Sequence, residues 1–136
     1  MIFLDTSYLA ALALGRDSLH GRAHAWSMCA AGSFVTTEYV LCEFANLLSA
    51  PSNRGKAHAL LRSLEGNPHI EIVWGTSELF RQGSAMHAER TDKAWSLTDC
   101  ISFVVMRQRG VAAALTYDHH FEQAGFEALL RREPPT

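Results

Sequence analysis

Short apolar runs alternate along this chain with longer segments that carry apolar residues at helical spacing. Ile2–Leu4, Phe34–Thr36 and Val111–Leu115 are brief and uninterrupted, as is typical of strands buried on both faces of a parallel sheet. Residues 70–74 alternate between apolar and polar, which predicts a strand at a sheet edge. Because strands and helices alternate, we predict one α/β domain over residues 1–136, with three layers and a mostly parallel central sheet flanked by helices.

Residues that favour the N-cap position indicate where the predicted helices begin. Side chains that can accept hydrogen bonds from free backbone N–H groups stand before most of the apolar helical segments. In chain order, the predicted caps are Asp5–Ser7, Asp17 or Ser18, Thr37, Thr76 or Ser77, and Ser96, which opens a capping box with Asp99. Residues 53–64 are predicted to form another helix, residues 119–122 a helical turn, residues 125–130 the last strand and residues 131–136 a frayed tail.

Size, charge and cysteines limit the class of protein. A chain of 136 residues is most economically one domain, and a net charge of −2 gives no overall attraction to nucleic acid. Cys29, Cys42 and Cys100 are scattered among apolar neighbours, so we predict three small buried thiols in a reducing compartment. The start lacks a signal-peptide pattern, and no run approaches the roughly 20 apolar residues of a membrane span, which predicts a cytoplasmic protein without a membrane segment.

Four acidic residues stand where the predicted fold could bring carboxylates together. Asp5 and Asp118 each follow a predicted strand, and ligand sites of open α/β sheets gather at the carboxyl ends of strands. Asp99 lies in the first turn of an apolar helix, whose positive end favours an anion. Glu43 lies beside the apolar face of the helix after Thr37, too far along it to be a cap. If Glu43 faces the same crevice, all four acids become neighbours.

Two interpretations of these acids are open on the residues alone. A carboxylate cluster raises the pKa of its members unless a cation neutralises them, and ligation by oxygen alone selects Mg²⁺ or Mn²⁺. In the other interpretation, Asp5 and Asp99 are ordinary helix caps, Asp118 is a turn residue and Glu43 is a solvated flank residue.

The sequence around each acid matches a known pattern. The matching segments are Ile2-Phe3-Leu4-Asp5-Thr6-Ser7, Glu43-Phe44-Ala45-Asn46-Leu47-Leu48, Ser96-Leu97-Thr98-Asp99-Cys100 and Leu115-Thr116-Tyr117-Asp118-His119-His120-Phe121. In these segments the chain resembles PIN-domain ribonucleases, and specifically the VapC-type toxins of bacterial toxin-antitoxin pairs. The segments span nearly the whole chain, and the last two are specific in combination with Gly125-Phe126, whereas the opening Asp-Thr-Ser is weak by itself.

The resemblance implies a magnesium-dependent endoribonuclease in which Mn²⁺ can substitute for Mg²⁺. By this likeness Asp5 and Asp99 hold the metal most directly, and Glu43 and Asp118 complete an acidic catalytic pocket. A water activated by the metal would hydrolyse the RNA phosphodiester bond and leave a 5′-phosphate and a 3′-hydroxyl. Two hydroxyl residues match positions near that pocket, Ser7 and Thr116.

The resemblance also implies protein partners. Family members are commonly homodimers, and a cognate antitoxin inhibits them by placing a C-terminal segment, often with a basic residue, in the acidic groove. A dimer can offset the mild acidity of this chain by placing cationic side chains beside the groove. The candidates for that role are Arg16, Arg22, Lys56, Arg90 and Lys93.

Other readings of the sequence are weaker. A haloacid dehalogenase needs a second Asp where Ser7 stands, and no Walker-type glycine-rich loop is present. His119 and His120 lack a third ligand at suitable spacing, so we predict helix-start or surface roles for them. Trp95 is the tryptophan closest to the predicted site, where base stacking competes with ordinary packing. The main alternative is a PIN-like module that binds RNA or protein without cutting it.

Overall fold

The computed structural model describes the whole chain, Met1–Thr136. It contains five strands, seven α-helices and one short 3-10 helix. In chain order these are β1 (Ile2–Leu4), α1 (Thr6–Ala13), α2 (His20–Cys29), β2 (Phe34–Thr37), α3 (Glu38–Leu47), α4 (Pro51–Gly66), β3 (Ile70–Val73), α5 (Ser77–Glu89), α6 (Leu97–Gln108), β4 (Ala113–Leu115), α7 (His119–Gln123), β5 (Glu127–Ala128) and the 3-10 helix Leu129–Arg131. The predicted α/β class is confirmed.

The five strands form one sheet in the order β3-β2-β1-β4-β5. Every neighbouring pair is parallel, so the sheet is entirely parallel and not only mostly so. The central strand β1 pairs with β2 on one side and with β4 on the other, where Leu4 lies opposite Leu115. The alternating strand β3 lies at an edge, as its pattern predicts.

The helices divide into two layers. Helices α1 to α4 pack against one another, and α5, α6 and α7 form a second packed set. Right-handed crossovers account for this division: the connections from β1 to β2 and from β2 to β3 run in one direction along the sheet, and the connection from β3 to β4 runs back. The result is the predicted three-layer arrangement. No helix combines the length and the hydropathy that crossing a membrane requires.

The core under the second helix layer is aromatic. Phe103 on α6 meets Trp95 and Phe121 edge-on, with ring centroids 5.0 Å apart in each pair. Trp95 is 4 % exposed, and its indole Nε1 donates to Gln123 Oε1 at 3.0 Å. Trp95 is therefore a packing residue and offers no face for base stacking. Phe121 fixes α7 on the core, and with it the position of the loop before α7.

Most predicted helix caps are present. The side chains of Thr37, Thr76 and Ser96 each accept a hydrogen bond from the backbone N–H three residues later. The cap predicted for α2 is wrong, because that helix begins only at His20. Asp17 accepts from the backbone N–H of Leu19 at 2.8 Å and so stabilises the turn before the helix.

Several predicted boundaries also need correction. Helix α4 begins at Pro51, since proline is well suited to a first helical position, where its missing N–H has no partner to lose. The last strand is only Glu127–Ala128, and the chain then forms the 3-10 helix. The predicted frayed tail is wrong for its first residues: Arg132 O accepts from Trp26 Nε1 at 3.0 Å, and Glu133 pairs with Arg22 at 2.9 Å.

Two of the three cysteines are not buried, which corrects another prediction. Cys100 is buried, but Cys29 and Cys42 are exposed. Cys42 lies between Leu41 and Phe44, yet it projects from the side of α3 that these core residues leave to solvent. Apolar neighbours in sequence therefore did not determine the face on which each thiol lies.

Helices α5 and α6 approach closely at Gly83. A Cβ built on Gly83 meets the side chain of Ile101 on α6 and lies 3.3 Å from the Ile101 Cα. Gly83 is buried and Ile101 is only 1 % exposed, so neither side can yield without disturbing the core. By contrast, a Cβ on Gly55 in α4 would have nothing within 4 Å.

We expect Gly83→Ala to lower the free energy of unfolding by about 1–2 kcal/mol, because overpacking outweighs the gain in helix propensity. Gly55→Ala is the matched control and should raise stability by about 0.5–1 kcal/mol. Urea unfolding of the two variants and the parent measures both changes. Equal stabilisation by the two alanines would contradict the close approach of α5 and α6.

Candidate active site

The acidic residues gather where the direction of the sheet connections changes. From β1 the chain moves toward β2 and β3, and from β4 it moves toward β5. The carboxyl ends of β1 and β4 therefore flank a crevice, the usual location of ligand sites in open parallel sheets. Asp5 directly follows β1, and Asp118 comes three residues after the end of β4.

Asp5 is a buried carboxylate at the end of β1, only 6 % exposed. Its Oδ2 accepts a hydrogen bond at 2.7 Å from the hydroxyl of Thr116, which β4 places beside it. Asp5 stands at the N-cap position of α1, but its side chain makes no capping hydrogen bond. Burial raises the pKa of Asp5 to about 7; the bond from Thr116 opposes this shift, and the nearby charges of Asp99 and Glu43 add to it.

Asp99 is the second buried carboxylate, at the start of α6 and 7 % exposed. It closes the predicted capping box: its backbone N–H donates to the Ser96 hydroxyl, and its Oδ2 accepts from the Ser96 backbone N–H at 3.1 Å. Burial raises the pKa of Asp99, and the nearby Asp118 contributes to the same shift. Asp99 therefore serves as a cap and also faces the other acids.

Glu43 and Asp118 complete the group. Glu43 is half-buried on α3, close enough to Asp5 for its charge to raise the pKa of that carboxyl. Asp118 caps α7 by accepting from the His120 backbone N–H at 2.9 Å, while its charge acts on Asp99. The structure thus brings the four predicted acids into one cluster. Of the two caps in the alternative interpretation, Asp99 has that role and Asp5 makes no capping hydrogen bond, whereas Asp118, expected there as a turn residue, caps α7.

The two predicted hydroxyl residues hold the end of β4 against the start of α1. The Ser7 and Thr116 hydroxyls are 3.3 Å apart. Ser7 Oγ accepts from the backbone N–H of Tyr117, and Thr116 Oγ1 accepts from that of Asp118, each at 3.0 Å. Since Thr116 also donates to Asp5, the hydroxyls fix the loop that carries Asp118 relative to the buried acid.

His120 is a residue of the site that the sequence did not indicate. Its Nδ1 lies 3.1 Å from Asp99 Oδ2 and 3.3 Å from Asp118 Oδ1. Asp118, His119 and His120 could each offer a ligand atom within 4.8 Å of the others, so a third ligand does stand beside the two histidines. The sequence signal for this contact was the position of His120 two residues after Asp118 at a helix start. Whether His120 then reaches Asp99 depends on how α7 packs on the core.

No lysine or arginine pairs with any of the four acids; His120 and His119 are the only basic side chains within ion-pair distance. Two carboxylates are buried, and the pKa of each is raised, so the metal-free cluster carries an electrostatic strain that a cation would relieve. The side chains of the site offer carboxylate and hydroxyl oxygens, which suit a hard divalent ion such as Mg²⁺ or Mn²⁺, and the ligand atoms within 4.8 Å of one another are those of Asp118, His119 and His120. The residues present therefore fit the predicted metal.

A family model decides between the candidate classes. The model described as PIN domain matches residues 2–127. The chain belongs to the PIN domain family. This confirms the resemblance noted in the four motifs, which lie within the matched range.

Known relatives of this PIN domain support the assignment over its full length. The 23S rRNA-specific endonuclease VapC20 of Mycobacterium tuberculosis is 29 % identical over 126 residues, covering 93 % of this chain and 95 % of the relative. The crystal structure of VapC20, described as a Sarcin-Ricin loop cleaving toxin, aligns with a TM-score of 0.85 over 93 % of this chain and 96 % of that one. FitAcB from Neisseria gonorrhoeae shares the fold, with a TM-score of 0.65, 19 % identity and coverage of 94 % and 95 %.

The five predicted cationic residues of this PIN domain do not form one group. Arg22 pairs with Glu133, and Arg90 pairs with Asp92 while lying over the Trp95 ring. Two others, Arg16 and Lys56, line a shared open cavity of about 630 Å³. Lys93 makes no ion pair. Their role toward RNA stays a prediction, with Arg16 and Lys56 as the pair that the fold brings together.

The pKa of Asp5 predicts how stability depends on pH. An acid with a folded pKa near 7 and an ordinary unfolded value binds more protons when folded between about pH 4 and 7, so its contribution to stability falls as pH rises through that window. We expect Asp5→Asn to remove this fall and to stabilise the metal-free protein at pH 8 by on the order of 1–4 kcal/mol. Urea unfolding in EDTA at pH 5 and pH 8 measures it.

The control for this experiment is Asp92→Asn, which removes an exposed acid paired with Arg90. Its stability should follow the pH dependence of the parent. A loss of about 1 kcal/mol at pH 8 in Asp5→Asn would instead show that the acid stabilises the fold through its hydrogen bond from Thr116.

Proposed function

We propose that this PIN domain is a metal-dependent endoribonuclease that acts as the toxin of a toxin-antitoxin pair. The observation that carries the proposal is the cluster of four carboxylates at the β1 and β4 ends, two of them buried, with no lysine or arginine partner. A module that only binds RNA gains nothing from such a strained cluster. The full-length likeness to VapC20, an endonuclease, supports the catalytic reading.

Asp5 and Asp99 are proposed to hold Mg²⁺, with Mn²⁺ as a substitute, and Glu43 and Asp118 to complete the pocket. Their burial supports this division, because the two buried acids gain most from a cation that replaces lost hydration. The bound cation would supply charge stabilisation at the phosphate and a lowered pKa for the attacking water. The expected products are a 5′-phosphate and a 3′-hydroxyl.

The neighbouring side chains would keep the acids in position during the reaction. Thr116 holds one oxygen of Asp5, while Ser96 and His120 hold one oxygen of Asp99. Ser7 ties the loop after β4 to α1. Preorganisation of this kind avoids reorganisation as the substrate binds, which is a large part of catalysis by charged groups.

Ribosomal RNA is the substrate class we propose. VapC20 is described as a 23S rRNA-specific endonuclease. Its crystal structure is described as that of a Sarcin-Ricin loop cleaving toxin. This chain covers 95 % of VapC20 at 29 % identity, with a TM-score of 0.85 against its structure. The same proposal places the activity in the cytoplasm, together with the ribosomes.

Purified protein, freed of any bound partner, should cut ribosomal RNA at discrete positions when Mg²⁺ or Mn²⁺ is added, and EDTA should stop the reaction. Asp5→Asn and Asp99→Asn should each lower the rate at least 100-fold, because each removes a charged ligand of the metal. Primer extension on intact ribosomes and on total RNA maps the cuts, and the ends report their chemistry.

Asp92→Asn is the matched control, since it removes an exposed acid that is not one of the four site carboxylates and should cut at the parental rate. Calorimetry with Mg²⁺ and Mn²⁺ alone separates loss of metal binding from loss of chemistry. Binding of RNA without cleavage at any metal concentration would favour the non-catalytic module.

A cognate antitoxin is the second proposed partner. The acidic pocket has no lysine or arginine of its own, so it suits an inhibitory segment that brings a basic side chain. Occupation of the pocket by such a cation would block the metal and the RNA at once. This accounts for inhibition by one segment without a change of fold.

We also propose a homodimer, formed through an apolar surface next to the pocket. This α3/α5 patch comprises Tyr39, Leu47 and Phe80. Leu47 and Phe80 are 61 % and 45 % exposed. Tyr39 lines both a cavity of about 500 Å³ that includes Phe80 and a second cavity of about 380 Å³ that includes Leu47 and Glu43. Apolar exposure of this kind marks interaction surfaces.

Phe80→Glu should convert the dimer to a monomer, because a charge in the centre of an apolar interface loses its hydration. Size-exclusion chromatography with light scattering measures the mass. Met28→Glu is the control: Met28 is 76 % exposed on α2, outside the patch, and its replacement should leave the dimer intact. A parent protein that is monomeric at high concentration would overturn the proposal.

A further inference from the structure

An exposed aromatic side chain belongs to the loop that carries Asp118. Tyr117 lies between Thr116, which donates to Asp5, and Asp118, and it is 43 % exposed. Three other rings near the site are buried: Phe3 and Phe121 are 0 % exposed and Trp95 is 4 % exposed. A single exposed ring on a surface is ordinary, so its meaning depends on how it is held.

Both backbone polar groups of Tyr117 are held from outside its own loop. Its N–H donates to Ser7 Oγ at 3.0 Å, and its carbonyl oxygen accepts from Arg131 Nη1 at 3.0 Å. These bonds come from α1 on one side and from the 3-10 helix on the other. The backbone that carries the ring is therefore fixed beside the acids. A ligand that contacts the ring loses little free energy in ordering this loop.

The guanidinium of Arg131 packs against the Tyr117 ring. Its guanidinium carbon lies 4.8 Å from the centroid of the Tyr117 ring, within the range of a cation-π contact. Its Nε also pairs with Glu122 at 3.1 Å, and the side chain is 39 % exposed. This arginine was absent from the cationic residues predicted from the sequence, yet it is the one that contacts the loop carrying Asp118.

We propose that Tyr117 stacks on a base of single-stranded RNA beside the cleaved phosphodiester, and that Arg131 holds the ring and offsets the charge of a neighbouring phosphate. The proposal rests on the proposed function, because it assumes RNA at the acidic pocket. Unpaired bases in loops are the usual targets of protein aromatics in RNA recognition, and stacking accepts any base. Apart from Arg131, the site offers a phosphate carboxylates, hydroxyls and the rings of His119 and His120.

The Tyr117 ring and the Arg131 guanidinium against it form a platform, and this platform differs from the α3/α5 patch in its chemistry. The patch presents exposed apolar side chains on two helices, which suits a protein surface, whereas Tyr117 is a single exposed ring with the Arg131 guanidinium against it, in the loop that carries Asp118. Arginine stacked on an aromatic ring is common where proteins bind nucleic acids. Charge and shape together therefore favour a nucleotide at this position.

The test measures binding without catalysis. Single-stranded RNA oligonucleotides carrying 2-aminopurine at successive positions are titrated with the full-length protein in EDTA, and stacking is detected as quenching of the fluorescent base. We expect the parent and Tyr117→Phe to quench strongly at one position or two adjacent ones. Tyr117→Leu should bind about tenfold more weakly and lose that quenching, because it keeps apolar bulk without a π-face.

Arg131→Gln should also weaken binding, and the dependence of log affinity on log salt should become shallower by about 0.7, as expected for one lost phosphate contact to a single strand. Arg62→Gln is the matched control, because Arg62 is exposed on α4 and outside the site, and its salt dependence should stay parental. Thermal unfolding of each variant confirms that the fold is kept.

Each outcome separates this inference from the proposed function. Parental affinity and quenching in Tyr117→Leu, with cleavage intact in the parent, would overturn the platform alone. Equal losses in Tyr117→Phe and Tyr117→Leu would also overturn it, since the hydroxyl and not the ring face would then be the contact. Tyr117-dependent quenching without cleavage in the parent would support the platform and contradict the nuclease. A parent that binds no RNA would overturn both.

Discussion

The parallel pairing of β1 with β4 is the contact on which the site depends. It sets Leu4 opposite Leu115, so the next residues of the two strands, Asp5 and Thr116, emerge side by side at the carboxyl end of the sheet. A slip of one residue would direct Asp5 to the other face of the sheet. The apolar side chains of both strands pack against the two helix layers. Their burial prevents the shift in register. The core therefore determines the geometry of the acids.

The buried acids lower the stability of the metal-free fold. Asp5 and Asp99 are buried beside other acids, and the pKa of each is raised, so the ionised cluster opposes folding near neutral pH. Proteins keep such local conflicts mainly at functional sites. Here the surrounding contacts offset the conflict: the capping box holds Asp99, and the Phe103 and Phe121 rings hold the two helices that flank the pocket. Stability has been given up at the pocket and retained around it.

Local patterns predicted the fold and the acids, and the predictions failed where tertiary packing decides. The apolar runs and the caps at Thr37 and Ser96 are properties of neighbouring residues, so they were readable from the chain. Strand ends and helix starts that converge in a parallel sheet indicated Asp5, Asp99 and Asp118, whereas the resemblance to PIN-domain ribonucleases assigned Glu43 to the site. The contact of His120 with Asp99 depends on how α7 docks, and the exposure of Cys42 depends on how α3 rotates against the sheet. Contacts between residues more than 100 positions apart, such as those between Arg22 and Glu133, leave no local trace.

The hydrogen bonds of the buried acids divide the two oxygens of each carboxylate. Asp5 uses Oδ2 to accept from Thr116, and Asp99 uses Oδ2 to accept from Ser96 and to meet His120. The Oδ1 atoms carry none of these bonds. In each acid the other oxygen is left free of these bonds, while Oδ2 fixes the plane of the carboxylate. A hard cation held by these acids would take one oxygen from each, so water and phosphate oxygens would supply more of its ligands than the two buried acids do.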